Sequence, residues 1–274
     1  MKPLQNNPQD ARVAAVQMVS TPRVDENLQT AGKLIAEAVA QGASLVALPE
    51  YFPIMGMSDG DKVKVREADG SGPIQDFLAE AACKHGIWLV GGSMPLIAGE
   101  ADKVLNTCLA YNPRGERVAR YDKIHLFGFQ KGAERYNESA TIEPGSKLVA
   151  FDTPFGRIGL SICYDMRFPE LYRALGVCDL LVIPAAFTET TGRAHWEILL
   201  RARAIENQCY VLAIAQGGKH ENGRETHGNS LLIDPWGDIL DRKLKGPGVV
   251  IGTIDHARIA EVRASLPALK HRVM

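Results

Sequence analysis

Arg157-Ile158-Gly159-Leu160-Ser161-Ile162-Cys163-Tyr164-Asp165-Met166-Arg167-Phe168-Pro169-Glu170 is the stretch that settles how the chain is built. Arg157 to Ile162 has the apolar and β-branched content of a buried strand, and Phe168 to Leu175 reads as a helix. Cys163 stands at their junction. A strand-turn-helix corner of this kind lifts a nucleophile above the edge of a sheet.

Outward from it the alternation repeats, which places the chain in the α/β class. Upstream, Val13 to Met18 reads as a strand, Asp25 to Ala40 as a helix stopped by Gln41-Gly42, and Ser44 to Leu48 as a strand ended by Pro49. Pro73 to His85 is a second helix, stopped by Gly86, and Ile87 to Gly91 a strand running into a Gly-Gly turn. Asn106 to Tyr111 and Glu116 to Tyr121 make a hairpin around Asn112-Pro113-Arg114-Gly115. Downstream come strands at Leu180 to Pro184 and Tyr210 to Ala215, with a helix from Gly192 to Gln208 between them. A hairpin at Asn229 to Ile233 and Asp238 to Leu240 follows, and Gly248 to Ile254 closes the strand inventory. Two sheets covered by helices accommodate this set. The segment Gly128 to Gly145 shows no periodicity and reads as a long functional loop bordering a site.

Composition bounds the function. Of 274 residues, 46% are apolar and 23% charged, enough for the core of one domain. Lys and Arg number 31 against 32 Asp and Glu, a net charge of −1, which argues against nucleic acid or an anionic membrane as partner. The most apolar runs fall well short of the roughly 18 residues a spanning helix needs. Met1 to Asp10 lacks the features of a secretory signal, so a cytoplasmic location is expected. Five cysteines, with no Cys-x-x-Cys pair, fit reduced thiols better than disulfides or a metal ribbon.

Glu50, Lys123 and Cys163 each fall at or just after the carboxyl end of a predicted strand, where α/β folds gather their ligands. A thiol with an ordinary pKa near 8.5 is only slightly ionised at neutral pH and needs a base beside it. Glu50 would take that proton and return it to a departing amine. Lys123 would stabilise the oxyanion of a tetrahedral intermediate, a contribution of about 3 kcal/mol. A Cys-His-Asp hydrolase would need Gly-x-Cys-x-Gly, and Cys163 lacks both glycines. A zinc amidase would need a third ligand near His220 and His227.

Leu48-Pro49-Glu50, Tyr121-Asp122-Lys123-Ile124-His125-Leu126-Phe127 and Ser161 to Glu170 resemble, in order and spacing, the three signature segments of the nitrilase superfamily of carbon-nitrogen hydrolases. The resemblance spans nearly the whole chain and implies a single domain over 11–270 with a four-layer αββα sandwich. It assigns Glu50 as general base and acid, Lys123 as stabilising cation and Cys163 as acyl-forming nucleophile. It adds Glu138, within Asn137-Glu138-Ser139, as the residue holding Lys123 in register. The Tyr164 backbone N–H is expected in the oxyanion hole, at the head of the helix after the nucleophile. Neither cofactor nor metal is implied.

Thr190-Thr191-Gly192-Arg193-Ala194-His195-Trp196-Glu197 and the run Arg201 to Gln216 resemble the Nit subgroup. There the implied reaction is hydrolysis of deaminated glutathione to 2-oxoglutarate and cysteinylglycine, a metabolite repair. The alternatives are an omega-amidase acting on α-ketoglutaramate and a catalytically silent binding protein on the same fold. Gly228-Asn229-Ser230 stands where relatives often carry Gly-His-Ser. His195 and Trp196 read as helix-packing residues. Arg167, Arg193 and Lys131 are candidates for the substrate carboxylates, with Arg167 equally suited to pair with Glu170. From the resemblance, a homodimer or larger homo-oligomer is expected.

Overall fold

The computed structural model describes residues 8–132 and 134–273. Residues 1–7 of the segment read for a leader therefore lie outside the described residues.

Two sheets form, each with three parallel strands at its centre and antiparallel strands outside. In the first, Ala11–Gln17, Leu45–Ala47 and Trp88–Val90 run parallel, flanked by Gly248–Ile254 and by Val104–Tyr111, which also pairs Met94–Ile97, Arg117–Asp122 and Ile142–Glu143. In the second, Gly156–Leu160, Leu180–Ala185 and Tyr210–Ala215 run parallel, with Ala150–Thr153 on one side and Ser230–Ile233 and Ile239–Lys243 on the other. The sheets stack face to face, Ala11–Gln17 lying on Tyr210–Ala215 and Ser230–Ile233. Helices Val24–Ala40 and Pro73–His85 cover the first sheet, and Pro169–Ala174 and Glu189–Asn207 the second. This is the four-layer αββα sandwich.

Strand periodicity explains the layers. Along Ala11–Gln17, Val13 and Ala15 point into the space between the sheets, while Ala14 and Val16 pack under Leu34, Ile35 and Ala38 of the covering helix. Both faces are dry, so the strand reads as a continuous apolar run rather than an alternating one. The helix ends obey local chemistry: Pro73 opens its helix and Gly86, at φ 63°, closes it.

Several features depart from the sequence reading, among them the outer strands Met94–Ile97 and Ala150–Thr153 and the one-turn helix Asp61–Lys64, which it does not contain. The segment 128–145 is no irregular loop; it holds the hairpin Gly128–Lys131 and Glu134–Asn137, then a short 3-10 turn at Glu138–Ala140. Its strands are largely exposed, so they carry no apolar period to read. The helix His256–Ser265 buries only Ile259 and Val262 among its residues and escaped notice for the same reason. After Cys163 the chain makes a 3-10 turn, Cys163–Arg167, and the helix begins only at Pro169, because a proline disfavours helical geometry in the residue before it.

The two sheets are joined at their carboxyl edges. Met18 and Gln216, each one residue past a central strand, form a parallel bridge, and Gly217 N donates to Met18 O at 2.8 Å. Gly92 closes the neighbouring turn at φ 57°, where an added Cβ would sit 2.1 Å from Pro49 O. We predict that Gly92→Ala lowers unfolding free energy by about 2 kcal/mol or more. Gly70→Ala, at φ 90° with nothing near, should cost only about 1 kcal/mol. Equal costs in urea unfolding would show that the contact with Pro49 is immaterial.

Candidate active site

Each reactive side chain is aimed by the turn that ends its strand. Glu50 follows Pro49 and precedes Tyr51, whose φ of 55° reverses the chain and whose N–H donates to Ser93 Oγ at 3.1 Å. Lys123 follows Arg117–Asp122; its N–H donates to Asn106 O at 2.9 Å, and its carbonyl accepts from Gly145 N at 2.8 Å. Only glycine fits there, since a Cβ on Gly145 would lie 2.1 Å from Asp122 O. Cys163 follows Gly156–Leu160 and is itself at φ 52°, a left-handed corner that pulls its thiol out of the strand line.

These turns bring the side chains of Glu50, Lys123 and Glu138 together in a buried chain of charges. Lys123 Nζ donates to Glu50 Oε1 at 2.9 Å and to Glu138 Oε2 and Oε1 at 2.8 and 3.0 Å. Glu50 is further held by Asn106 Nδ2 (3.0 Å) and Ala186 N (2.8 Å), and Glu138 by Tyr51 OH (2.9 Å) and Phe127 N (2.7 Å). Burial pulls the Lys123 ammonium down, but Glu138 and Glu50 outweigh it and hold it well above its ordinary value. Burial pushes the Glu138 carboxyl up, and Lys123 more than reverses this. The Cys163 thiol is pushed well up by burial and then by Glu50, with Lys123 opposing. The surroundings of the thiol therefore favour its protonated form.

Asp165, which the sequence reading passed over, ties the segments together. Its Oδ2 accepts from Tyr121 OH (2.6 Å) and Ile162 N (2.9 Å), its Oδ1 from His125 N (2.9 Å), and His125 Nδ1 lies 2.8 Å from that oxygen. One carboxylate thus fixes the cysteine turn against both ends of the lysine segment. Its only signal in sequence was an acidic residue at the third position of a turn.

Cys163 lies in a narrow slot with Tyr164, Phe127, Ala186, Phe187 and Thr191. The slot adjoins a cavity of about 350 Å³ whose walls include Tyr51, Lys62, Arg135, Tyr136 and Arg224. Glu138, Phe127 and Arg224 border both. The expected carboxylate ligands fare differently. Arg193 is exposed and pairs with Glu189 at 3.0 Å, and Lys131 is exposed on the hairpin; neither lines either space. Arg167 turns away from Glu170: its guanidinium lies over the rings of Tyr164 and Phe187 and 3.3 Å from His195 Nδ1. The cations that line the cavity are Lys62, Arg135 and Arg224.

Other motif residues resolve into scaffold. Trp196 is buried, donating to Asn229 O at 2.7 Å, whereas His195 is exposed. Asn229 adopts φ 57°, a conformation asparagine tolerates, and its side chain donates to His227 O at 3.0 Å without reaching the cavity. The Tyr164 ring walls the slot, a part for its side chain that no spacing in the chain assigns.

The carbon-nitrogen hydrolase family model matches residues 12–264. The chain belongs to the carbon-nitrogen hydrolase family. The hydrolase is 46% identical over 266 residues to deaminated glutathione amidase of Synechocystis sp., covering 95% of this chain and 97% of the relative. It is 39% identical over 266 residues to omega-amidase NIT2-B of Xenopus laevis, covering 95% and 94%. Among solved structures, the NitFhit protein of C. elegans superposes with a TM-score of 0.90 at 38% identity over 97% of the hydrolase, which spans 66% of that longer chain. Nit3 of Saccharomyces cerevisiae, of the nitrilase superfamily, gives a TM-score of 0.87 at 33% identity over 97% of both. The hydrolase acts on the carbon-nitrogen bond of small amides, on the fold these relatives share.

The charge chain sets a pH dependence of stability. Glu138 has a folded pKa below its ordinary 4.5, so its contribution is present above that value and is lost as pH falls through the folded one. Lys123 is raised above 10.5, so its contribution persists until pH rises through the folded value. Urea unfolding of the wild type should therefore show a loss below about pH 4.5 that Glu138→Gln reduces. An unchanged acid limb in the variant would contradict the assignment.

Proposed function

We propose that the hydrolase cleaves its amide through a thioester on Cys163. The sulfur attacks the amide carbonyl as Glu50 takes the thiol proton. The tetrahedral oxyanion is met by the Lys123 ammonium and the Tyr164 backbone N–H. Collapse breaks the carbon-nitrogen bond, with Glu50 returning its proton to the departing amine and leaving the acyl group on sulfur. Water, deprotonated by Glu50, then attacks the thioester; the second collapse releases the acid and restores the thiol. Glu138 holds the ammonium in line throughout.

One observation carries this reading: a buried thiol beside Glu50, which shares the Lys123 ammonium with Glu138 at 2.9 and 2.8 Å. The substrate we infer is deaminated glutathione, giving cysteinylglycine as the departing amine and 2-oxoglutarate as the acid. Lys62, Arg135 and Arg224 in the cavity wall, set beside Asp59 and Glu138, suit its two carboxylates, and the Synechocystis relative bears that activity as its name. The omega-amidase reading is kept because the Xenopus relative matches over the same length. We further infer a reducing cytoplasmic setting, in keeping with five free cysteines. We also infer a homo-oligomer, which the resemblance to the nitrilase superfamily implies.

Cys163→Ala should fold normally and lose roughly four orders of magnitude or more in turnover. Mass spectrometry of quenched wild type should find the acyl group on Cys163, and its appearance on another cysteine would reassign the nucleophile. The ratio of kcat/KM for deaminated glutathione over α-ketoglutaramate should be well above one; a strong preference for α-ketoglutaramate would establish the omega-amidase instead.

A further inference from the structure

The two carboxylates of the proposed substrate lie at different distances from the bond that breaks. The acyl half ends in one four bonds from the scissile carbon, beside its keto group; the departing half carries the other six bonds away. The three cations that line the cavity beside the thiol slot are graded in the same way. Arg224 borders both the slot holding the thiol and the wide cavity, whereas Lys62 and Arg135 border the cavity alone.

Arg224 is also the cation built to receive an anion. One end of its guanidinium donates to Ala186 O at 2.6 Å, and its face rests on the Tyr136 ring with 5.2 Å to the centroid. Ala186 in turn donates its N–H to Glu50 Oε2 at 2.8 Å, so the arginine is set against the same residue that positions the carboxylate. Its Nε is buried and has no hydrogen-bond partner among the described residues. A buried donor without an acceptor is unfavourable, so a carboxylate in the slot would be met by this guanidinium once the side chain turns its unpaired Nε toward it. Lys62 already donates to Thr141 Oγ1 at 3.0 Å and lies 3.7 Å from Asp59. Arg167 also has a buried, unpartnered Nε, but it lines neither slot nor cavity.

We infer that Arg224 is a specificity-determining residue that grips the carboxylate of the acyl half, leaving Lys62 and Arg135 to the carboxylate of the departing amine. The inference rests on the amidase reading above and adds the division of the site. A fork of donors suits an α-keto acid, whose carboxylate and keto oxygens lie side by side.

The test compares two amides that each keep one carboxylate: α-ketoglutaramate, with the acyl one, and pentanoyl-cysteinylglycine, with the departing one. Arg224→Gln should lower kcat/KM for α-ketoglutaramate relative to pentanoyl-cysteinylglycine by about 10- to 100-fold. Arg224→Lys, a charge without the fork, should fall between, and it also serves should the glutamine variant fail to fold. Arg193→Gln should leave the ratio unchanged. Equal losses on both amides would mark Arg224 as merely structural, and a loss confined to pentanoyl-cysteinylglycine would give it to the other half; either overturns the inference. Should the wild type hydrolyse neither amide, the substrate reading fails separately, and protection of Cys163 from iodoacetamide by glutarate decides instead. Protection weakened about tenfold in the variant upholds the clamp, and undiminished protection overturns it.

Discussion

Lys123 carries its ammonium with no exposure to water, between the carboxylates of Glu50 and Glu138. Taking such an ion out of water costs several kcal/mol after relaxation, and attraction repays it only when the partners are close and fully hydrogen-bonded. Here they are: each carboxylate collects donors from other parts of the chain, from Asn106 and Ala186 on one side and Tyr51 and Phe127 on the other. The charge chain therefore binds four separate segments to one geometry. It also sets the resting state of the thiol. Burial and the side chains of Glu50 and Glu138 together disfavour a thiolate there, against the opposing pull of Lys123.

The fold makes that geometry possible by stacking two sheets with their carboxyl edges together. Glu50 and Lys123 come from one sheet and Cys163 from the other, and the Met18 and Gln216 bridge stitches the two at that edge. Gln216 reaches further, donating to Glu50 O at 3.1 Å and to Ser20 Oγ at 2.7 Å. Asp165 does the same for the cysteine turn and the lysine segment. Buried polar groups in this region act as spacers as well as reagents, which is how a site assembled from remote strand ends keeps its alignment.

Much of this was legible in the sequence. Strands dry on both faces announce themselves as apolar runs, so the central parallel strands, the helices between them and the strand-end positions of Glu50, Lys123 and Cys163 are legible in the chain, whereas outer strands such as Met94–Ile97 and Ala150–Thr153 are not. What could not be read shares one property: its position depends on contacts made far along the chain. Lys131 and Arg193 lie close in sequence to signature segments, but the hairpin and the first helical turn aim them at solvent. Arg224 sits in the polar stretch Lys219 to His227, which has no period, and only the fold returns it to Cys163. Asp165 looks like any acidic turn residue until its donors from Tyr121 and His125 are seen.

Cys163 rests as a neutral thiol, with Lys123 charged between Glu50 and Glu138. The most direct measurement is the ultraviolet thiolate absorbance of wild type minus Cys163→Ala, titrated with pH. We predict no thiolate signal from Cys163 through neutral pH, with its appearance displaced well above the ordinary thiol range. A thiolate already formed at neutral pH would contradict it, because Cys163 would then rest as the partner of the Lys123 ammonium and Glu50 could not be taking its proton during attack.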